Sequence, residues 1–135
     1  MGKIYQLFIK CLGPRVFAGL SSTQENSTVR CFYGGLNDHI RKDILLKMTQ
    51  KDGIIRCLIC TIAFGMGVDV KGLSTVIHWG CSKSVSNYWQ EVGRVGRNTN
   101  ENCLAKMFCV RNKMQSVDEE MKTIVKKNWK VGFEN

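Results

Sequence analysis

The most informative stretch of the sequence is Gln-Glu-Val-Gly-Arg-Val-Gly-Arg-Asn at residues 90–98, where a glutamine and two arginines stand beside two glycines. If residues 88–95 form a helix, Gln90 and Arg94 lie four residues apart and Arg94 and Arg97 three apart, so their polar groups can converge on one ligand. Arginine suits phosphate oxygens, because its planar guanidinium donates several hydrogen bonds and stays charged at physiological pH. The pattern therefore favours a polyphosphate ligand. The alternative is that both arginines are solvated charges at the frayed end of a helix.

A second informative stretch lies upstream of the first. It reads Thr-Ile-Ala-Phe-Gly-Met-Gly-Val-Asp at residues 61–69 and is followed by Ser-Thr-Val-Ile-His-Trp-Gly at residues 74–80. Together the stretches resemble motifs V and VI of superfamily 2 helicases. The Ala-Phe-Gly-Met-Gly-Val-Asp part and the pair Gln90-Glu91 resemble the RecQ family, whereas DEAD-box proteins carry Ala-Arg-Gly and His-Arg at these places. The sequence is similar to RecQ helicases over residues 3–110.

The resemblance implies the fold of the second RecA-like domain of a helicase motor, the helicase C-terminal domain. This is an α/β fold with a parallel sheet that carries helices on both faces. Apolar runs typical of strands alternate with helical patterns, which independently favours such a sheet. The predicted strands cover residues 29–33, 54–61, 75–79 and 104–110. We expect Asn37 or Asp38 to cap the second helix, and Ser84 or Ser86 to cap the helix of motif VI.

The start of the sequence departs from the family's pattern. In the family a strand precedes the first helix, whereas this sequence begins with the helix at residues 4–12, which ends at Gly13-Pro14. We therefore expect residues 1–111 to form an N-terminally truncated domain whose sheet lacks its first strand, with unpaired backbone groups and exposed apolar surface. Residues 112–135 are expected to form a charged helical tail. Three apolar residues of the tail are a candidate docking stripe, namely Met121, Ile124 and Val125.

The chain is basic and contains no apolar run long enough to span a bilayer. Its 135 residues suffice for one domain, and 20 Lys and Arg against 11 Asp and Glu give a formal charge of +9. This charge favours an anionic partner such as nucleic acid, although many basic proteins bind none. Gln6 and Lys10 interrupt the N-terminal apolar stretch, which argues against a signal peptide. We expect a soluble, intracellular protein with no membrane partner.

Seven cysteines are scattered through apolar segments. The odd number predicts reduced thiols in a reducing compartment, where free cysteine acts mainly as a small buried hydrophobic residue. Cys57 and Cys60 have the spacing of a zinc or redox pair, but they lie in a predicted strand, where residues three apart point to opposite faces. The four-cysteine zinc subdomain of RecQ helicases follows the domain that this sequence resembles. We therefore predict no metal site.

The resemblance divides the ATP site between two domains. In RecQ helicases ATP with Mg²⁺ lies between two RecA-like domains, of which the first supplies a phosphate loop and Mg²⁺-binding carboxylates and the second an arginine finger. This sequence contains neither a phosphate loop nor an Asp-Glu-x-His box. The implied partner is a first RecA-like motor domain, in cis or in trans, which binds most of the ATP. Arg94 and Arg97 are the expected catalytic finger residues, and Gln90 is expected to orient them or to sense the nucleotide.

The resemblance also implies contacts to DNA, as a single strand and at its junction with a duplex. A translocating motor binds phosphates rather than base edges, because it must not depend on sequence. The candidates are Thr61 after its strand, and Tyr33, Gly34 and Gly35 in a block that is similar to the family's Tyr-His-Ala-Gly-Leu block. Gly34 offers only its backbone. Lys83 is a weaker candidate, and a solvated charge is the alternative for it.

Two residues at the end of motif V, Gly67 and Asp69, are expected to couple the nucleotide site to the DNA, and a loop cap is the alternative for Asp69. His78 lies in an apolar strand and is expected to be a core residue. Two functions remain open. The first is part of a RecQ-like, ATP-dependent 3′ to 5′ DNA helicase, by resemblance a nuclear enzyme of DNA repair and recombination, which is inactive without the first motor domain. The second is a non-catalytic basic module that binds nucleic acid or a protein partner.

Overall fold

The described part of the chain contains four α-helices and four short β-strands, in the order that the sequence predicts. The structure is a computed structural model, and it describes residues 1–19, 22–61, 70, 72–97, 102–110 and 113–128. The chain divides into two compact units, Met1–Val70 and Lys71–Asn135. Among the described residues, no helix is long and apolar enough to cross a bilayer.

The first unit is built on α1 (Gly2–Leu12) and a pair of parallel strands, β1 (Val29–Phe32) and β2 (Cys57–Cys60). Helix α1 ends before Gly13 and Pro14, as predicted, because this pair begins a 3₁₀ turn. The apolar side of α1 packs against a small buried core. The buried residues of that core are Val16, Val29 and Ile59.

Helix α2 (Asp38–Thr49) connects the two strands of the first unit. Asn37 caps it, since the Asn37 side chain accepts a hydrogen bond of 2.9 Å from the backbone N–H of His39. Strand β2 begins at Cys57 and not at residue 54. The reason lies in the backbone bonds, because the N–H groups of Arg56 and Cys57 both donate to the Thr28 carbonyl and the ladder starts there.

The second unit repeats this arrangement with β3 (Thr75–Trp79), α3 (Val85–Val92) and β4 (Leu104–Phe108). Strands β3 and β4 are parallel, and Thr75 pairs with Leu104 and Trp79 with Phe108. Ser84 caps α3, since its hydroxyl accepts a hydrogen bond of 3.1 Å from the Asn87 N–H. The strands of the described residues thus form two parallel pairs, β1–β2 and β3–β4.

The tail contains the helix α4 (Glu119–Lys127), which packs into the core of the second unit. Met121 is 2% exposed and lies with Met114 and Val117 at the centre of this core, and Val125 packs at its edge. Ile124, in contrast, is 39% exposed. Two of the three residues in the predicted docking stripe therefore pack within the chain itself.

The prediction of reduced cysteines is wrong for one pair. Cys81 and Cys109 form a disulfide, with their Cα atoms 5.1 Å apart. The two residues are 28 positions apart in the sequence, but they follow the ends of β3 and β4, and the pairing of Trp79 with Phe108 brings them together. Burial raises the pKa of the Cys31 thiol and of the Cys57 thiol.

Candidate nucleotide and nucleic-acid sites

The arginines of motif VI lie in a turn and not on a helix. Helix α3 ends at Val92, so the prediction of a helix over residues 88–95 is wrong at its C-terminal end. The physical reason is Gly93, which takes the C-cap position and donates its N–H to the Trp89 carbonyl at 2.8 Å. We call residues 93–97 the arginine turn, and its arginines do not share a helix face with Gln90, which is exposed on α3.

Gly96 fixes the arginine turn to the rest of the unit. Its φ is 80°, in the left-handed region that glycine adopts without steric cost. Its N–H donates to the Leu73 carbonyl at 3.2 Å, and Leu73 lies just before β3. A Cβ at this position would lie 3.5 Å from the Sγ of Cys103, just before β4. The turn is therefore held at the amino ends of both strands.

The two arginines of the turn differ in exposure. Arg97 is exposed, and its Nε donates to the Gly93 carbonyl at 3.0 Å. Arg94 is half-buried. Because the Arg97 guanidinium is bonded to the backbone of its own turn, the direction of this side chain depends on the conformation of residues 93–97.

A partly buried polar cluster joins α3 to β3 close to Gln90. The Ser82 hydroxyl donates a hydrogen bond of 2.6 Å to the Oε2 of Glu91, and the same oxygen lies 3.0 Å from the Nε2 of His78. Neither ring nitrogen of His78 makes a well-directed hydrogen bond within the described residues. The ring also contacts Tyr88, with the ring centroids 5.5 Å apart.

Burial affects the titration of His78 in this cluster. The His78 side chain is 11% exposed, and burial lowers its pKa, while the carboxylate of Glu91 acts in the opposite direction and more weakly. The low exposure of the His78 side chain fits the expected core residue, but in the described part of the chain its ring nitrogens lack the hydrogen-bond partners of a satisfied core histidine. Nothing in the sequence distinguishes Ser82, and Glu91 stands out there only as part of the Gln-Glu pair, because the contact between them depends on how α3 packs on β3.

In the first unit, the structure brings the predicted DNA residues together at one edge of the β1–β2 pair. Phe32 pairs with Cys60, so Tyr33 and Thr61 are the next residues of neighbouring parallel strands. The N–H of Thr61 donates to the Phe32 carbonyl at 3.3 Å. We call this edge, with Thr61 and residues 33–35, the carboxyl edge, and all four of its residues are exposed.

Arg41 of α2 holds the loop at the carboxyl edge. Its Nη2 donates to the Gly34 carbonyl at 3.0 Å and to the Leu36 carbonyl at 3.3 Å, and its guanidinium lies 5.9 Å from the centre of the Phe32 ring. The sequence shows Arg41 shortly after the block at residues 33–36, but it does not show that the Arg41 side chain donates to two carbonyls of this loop. The loop conformation therefore depends on a side chain of the following helix.

The remaining predicted residues lie elsewhere. Lys83 belongs to the second unit, where its side chain is exposed and its carbonyl accepts a hydrogen bond of 2.8 Å from the Asp118 N–H. Gly67 and Asp69 lie outside the described residues. No cluster of His, Cys, Asp and Glu in the described part of the chain has the arrangement of a metal site.

Parallel strands joined by helices, with an arginine turn after the helix of motif VI, define the class of RecA-like helicase C-terminal domains. The family described as "Helicase conserved C-terminal domain" matches residues 8–99. The chain belongs to this family.

Relatives with similar sequences confirm the resemblance to RecQ helicases. The chain is 36% identical over 72 residues to the mouse bifunctional 3′-5′ exonuclease/ATP-dependent helicase WRN, a match that covers 53% of this chain and 5% of that protein. It is 30% identical over 95 residues to the human ATP-dependent DNA helicase Q4, and the match covers 70% of this chain and 8% of that protein. It is 35% identical over 66 residues to RecQ of Bacillus subtilis, and the match covers 49% of this chain and 11% of that protein. The chain thus spans about a tenth or less of the length of these relatives.

Solved structures confirm the fold. The C-terminal domain of the DEAD-box protein Dbp5 superimposes with a TM-score of 0.60 at 16% identity, covering 94% of this chain and 65% of that one. The helicase Lhr of Mycobacterium smegmatis superimposes with a TM-score of 0.54 at 19% identity, covering 80% of this chain and 13% of that one. The predicted α/β class with parallel strands is therefore confirmed.

Proposed function

We propose that the chain supplies the arginine-finger half of the ATP site, and part of the DNA track, of a RecQ-like ATP-dependent 3′ to 5′ DNA helicase. The observation that carries this proposal is the arginine turn. Arg97 is exposed at the surface, and the N–H of the neighbouring Gly96 donates to the Leu73 carbonyl just before β3. Such a fixed cation is what stabilisation of a transition state needs, because a preorganised group requires little rearrangement during the reaction.

The chemistry is phosphoryl transfer from ATP to water. Charge develops on the γ-phosphoryl oxygens, and a guanidinium beside them lowers the barrier; in GTPases this effect is worth roughly 10³ to 10⁵ in rate. Arg97 and Arg94 supply the guanidinium groups, and the exposed Gln90 senses the nucleotide from the last turn of α3. ATP with Mg²⁺ is bound mainly by the first RecA-like motor domain, which carries the phosphate loop.

The DNA track runs over the carboxyl edge of the β1–β2 pair. Tyr33, Gly34, Gly35 and Thr61 are exposed there, and small residues let a sugar-phosphate backbone approach the chain closely. The formal charge of +9 favours this binding. Gly67 and Asp69 link DNA binding to the nucleotide. Lys83, which is exposed in the second unit, is a separate candidate for a phosphate contact.

The test of this proposal is complementation. The full chain is mixed with a purified first motor domain of a RecQ helicase, and ATP hydrolysis is followed with and without single-stranded DNA. Arg94→Ala and Arg97→Ala should abolish the DNA-stimulated rate. Arg15→Ala is the matched control, because the Arg15 Nε also donates to a nearby backbone carbonyl, that of Leu12, but lies outside both proposed sites.

Each outcome of this experiment decides something. A stimulated rate that Arg15→Ala preserves and both other substitutions abolish supports the finger. A stimulated rate that survives both substitutions contradicts it. No stimulated rate from a folded chain favours the second function, a non-catalytic basic module that binds nucleic acid or protein. The observation in favour of that function is an exposed aromatic face on the second unit, with Trp79 74% exposed.

A further inference from the structure

The disulfide between Cys81 and Cys109 connects two different parts of the second unit. Cys81 belongs to the loop between β3 and α3, and Cys109 is the residue that follows β4. Beyond Cys109 the chain leads into the tail, of which the structure describes residues 113–128. We call these residues the docked tail. The disulfide therefore joins the loop before α3 to the segment that leads into the docked tail.

The docked tail is bonded to the same loop at a second place. The N–H of Asp118 donates to the Lys83 carbonyl at 2.8 Å. The Asp118 side chain in turn caps α4, since it accepts a hydrogen bond of 2.7 Å from the Met121 N–H. Lys83 follows shortly after Cys81 in the loop. The conformation of the loop therefore affects the position at which α4 begins.

The two cysteines also pack against the apolar core that holds the docked tail. Cys81 and Cys109 both lie at the edge of the cluster formed by Met114, Val117 and Met121. All three of these tail residues are buried. Helix α4 has only 9 residues, and a helix of this length is not stable alone in water. Its helical structure thus depends on its contacts with the rest of the unit.

The strand pair has hydrogen bonds of its own at the same place. The Gly80 N–H donates to the Phe108 carbonyl at 2.9 Å, directly beside the disulfide. The parallel ladder between β3 and β4 continues from there to the pair of Thr75 with Leu104. None of these bonds uses a sulfur atom. Cleavage of the disulfide therefore leaves β3 and β4 bonded to each other, whereas the docked tail loses its covalent link to the loop.

The disulfide is accessible to thiols from outside the unit. Cys81 and Cys109 are both partly exposed, and exposed disulfides are the class that thiols reduce most readily. The second unit contains one other cysteine, Cys103, which precedes β4 and so lies at the opposite end of that strand. Cys103 is therefore badly placed to exchange with the disulfide, and its cleavage requires an external reductant.

We propose that Cys81 and Cys109 form a thiol–disulfide switch that controls the docking of the tail. A thiolate of a small dithiol attacks one protein sulfur, which breaks the S–S bond, forms a mixed disulfide and releases the other cysteine. The second thiol of the reductant then attacks the first reductant sulfur, so the reductant leaves as a cyclic disulfide. Two electrons and two protons pass to the protein, and both cysteines become thiols. A small disulfide such as oxidised glutathione reverses the exchange.

The experiment measures amide hydrogen exchange of the full chain by mass spectrometry, before and after reduction with dithiothreitol. Reduction should speed the exchange of the α4 amides at least about tenfold, because a disulfide commonly contributes that much or more to stability. The amides of β3 and β4 should change less than about threefold, since local opening leaves the rest of a unit protected. Oxidised glutathione should restore the slow exchange of α4.

Three variants serve as controls. The double variant Cys81→Ser with Cys109→Ser should exchange in α4 as fast as the reduced wild type, and dithiothreitol should not change it further. Cys103→Ser is the matched control, because it removes a thiol of the same unit that lies outside the disulfide, and it should respond to reduction like the wild type. Met121→Ala removes the most buried side chain of the docked tail and should release α4 in both redox states.

Two results would overturn the inference. Equal exchange of α4 in the oxidised and reduced chains shows that the disulfide does not control docking. Loss of protection in β3 and β4 together with α4 makes the disulfide a structural cross-link of the whole unit and not a switch. If the double variant fails to fold, the reduced wild type still decides, because it carries no substitution. These readouts involve neither ATP nor DNA, so they stand apart from the complementation assay.

Discussion

Replacing Gly96 by alanine tests whether the arginine turn carries the activity. Gly96 has a φ of 80°, and an L-residue in this left-handed region costs about 1–2 kcal/mol. The new Cβ would lie 3.5 Å from the Cys103 Sγ, an ordinary van der Waals distance, so sterics add little. We expect Gly96→Ala to lower the free energy of unfolding of the second unit by about 1–2 kcal/mol and to displace the turn from Leu73.

The assays are urea denaturation, followed by circular dichroism, and DNA-stimulated ATP hydrolysis in the complementation mixture. Gly80→Ala is the matched control, because Gly80 also has a positive φ, 116°, with nothing near its absent Cβ, but lies beyond the other end of β3. Gly80→Ala should lose at least as much stability as Gly96→Ala, because its φ lies farther from the left-handed region that L-residues adopt, whereas only Gly96→Ala should lose most of the hydrolysis. Equal loss of hydrolysis in both variants, or wild-type stability of Gly96→Ala, would refute the reasoning.

Three further predictions concern other contacts. Burial lowers the pKa of His78 below its ordinary value of 6.5, so the unfolded chain binds a proton more readily than the folded chain. Stability should therefore fall as the pH falls below 6.5. Thermal unfolding across pH should show a smaller fall in His78→Gln. Arg41→Ala should weaken binding of single-stranded DNA at least several-fold in an anisotropy titration, because Arg41 donates to two carbonyls of the loop at residues 33–36. Arg41→Lys should recover little of the binding, because lysine lacks the planar guanidinium. Thiol titration of the unreduced, denatured chain should leave Cys81 and Cys109 unreactive and detect the five other cysteines; seven reactive thiols would contradict the disulfide.

Local chemistry in the sequence predicted three helix boundaries. The end of α1 at Gly13-Pro14 and the caps Asn37 and Ser84 depend on residues that are neighbours in the sequence, and the structure has them as predicted. Contacts between distant residues were not predictable in this way. The disulfide between Cys81 and Cys109 requires the pairing of β3 with β4, and the sequence does not state which residues of two strands face each other.

The site shows the same division between local and distant information. The residue types in the stretch at 90–98 predicted a phosphate-binding function, and a turn keeps that function possible although the helix was predicted too long. The bond from the Gly96 N–H to the Leu73 carbonyl, however, joins residues that are far apart in the sequence. Glycine spacing alone therefore indicated a close backbone approach at this place, but not its partner.

The change from helix to turn alters how the arginines are controlled. On a continuous helix, Arg94 and Arg97 would move with α3, whose position the Ser82–Glu91 hydrogen bond fixes against the end of β3. On the arginine turn, they are held in addition by Leu73, which precedes the start of the same strand. Ser82 and Leu73, the two residues that bond to α3 and to the arginine turn, thus lie just beyond opposite ends of β3. A displacement of β3 reaches the arginines by two routes, through α3 by the Ser82–Glu91 bond and directly by the Gly96–Leu73 bond, so β3 and α3 together are expected to set their position.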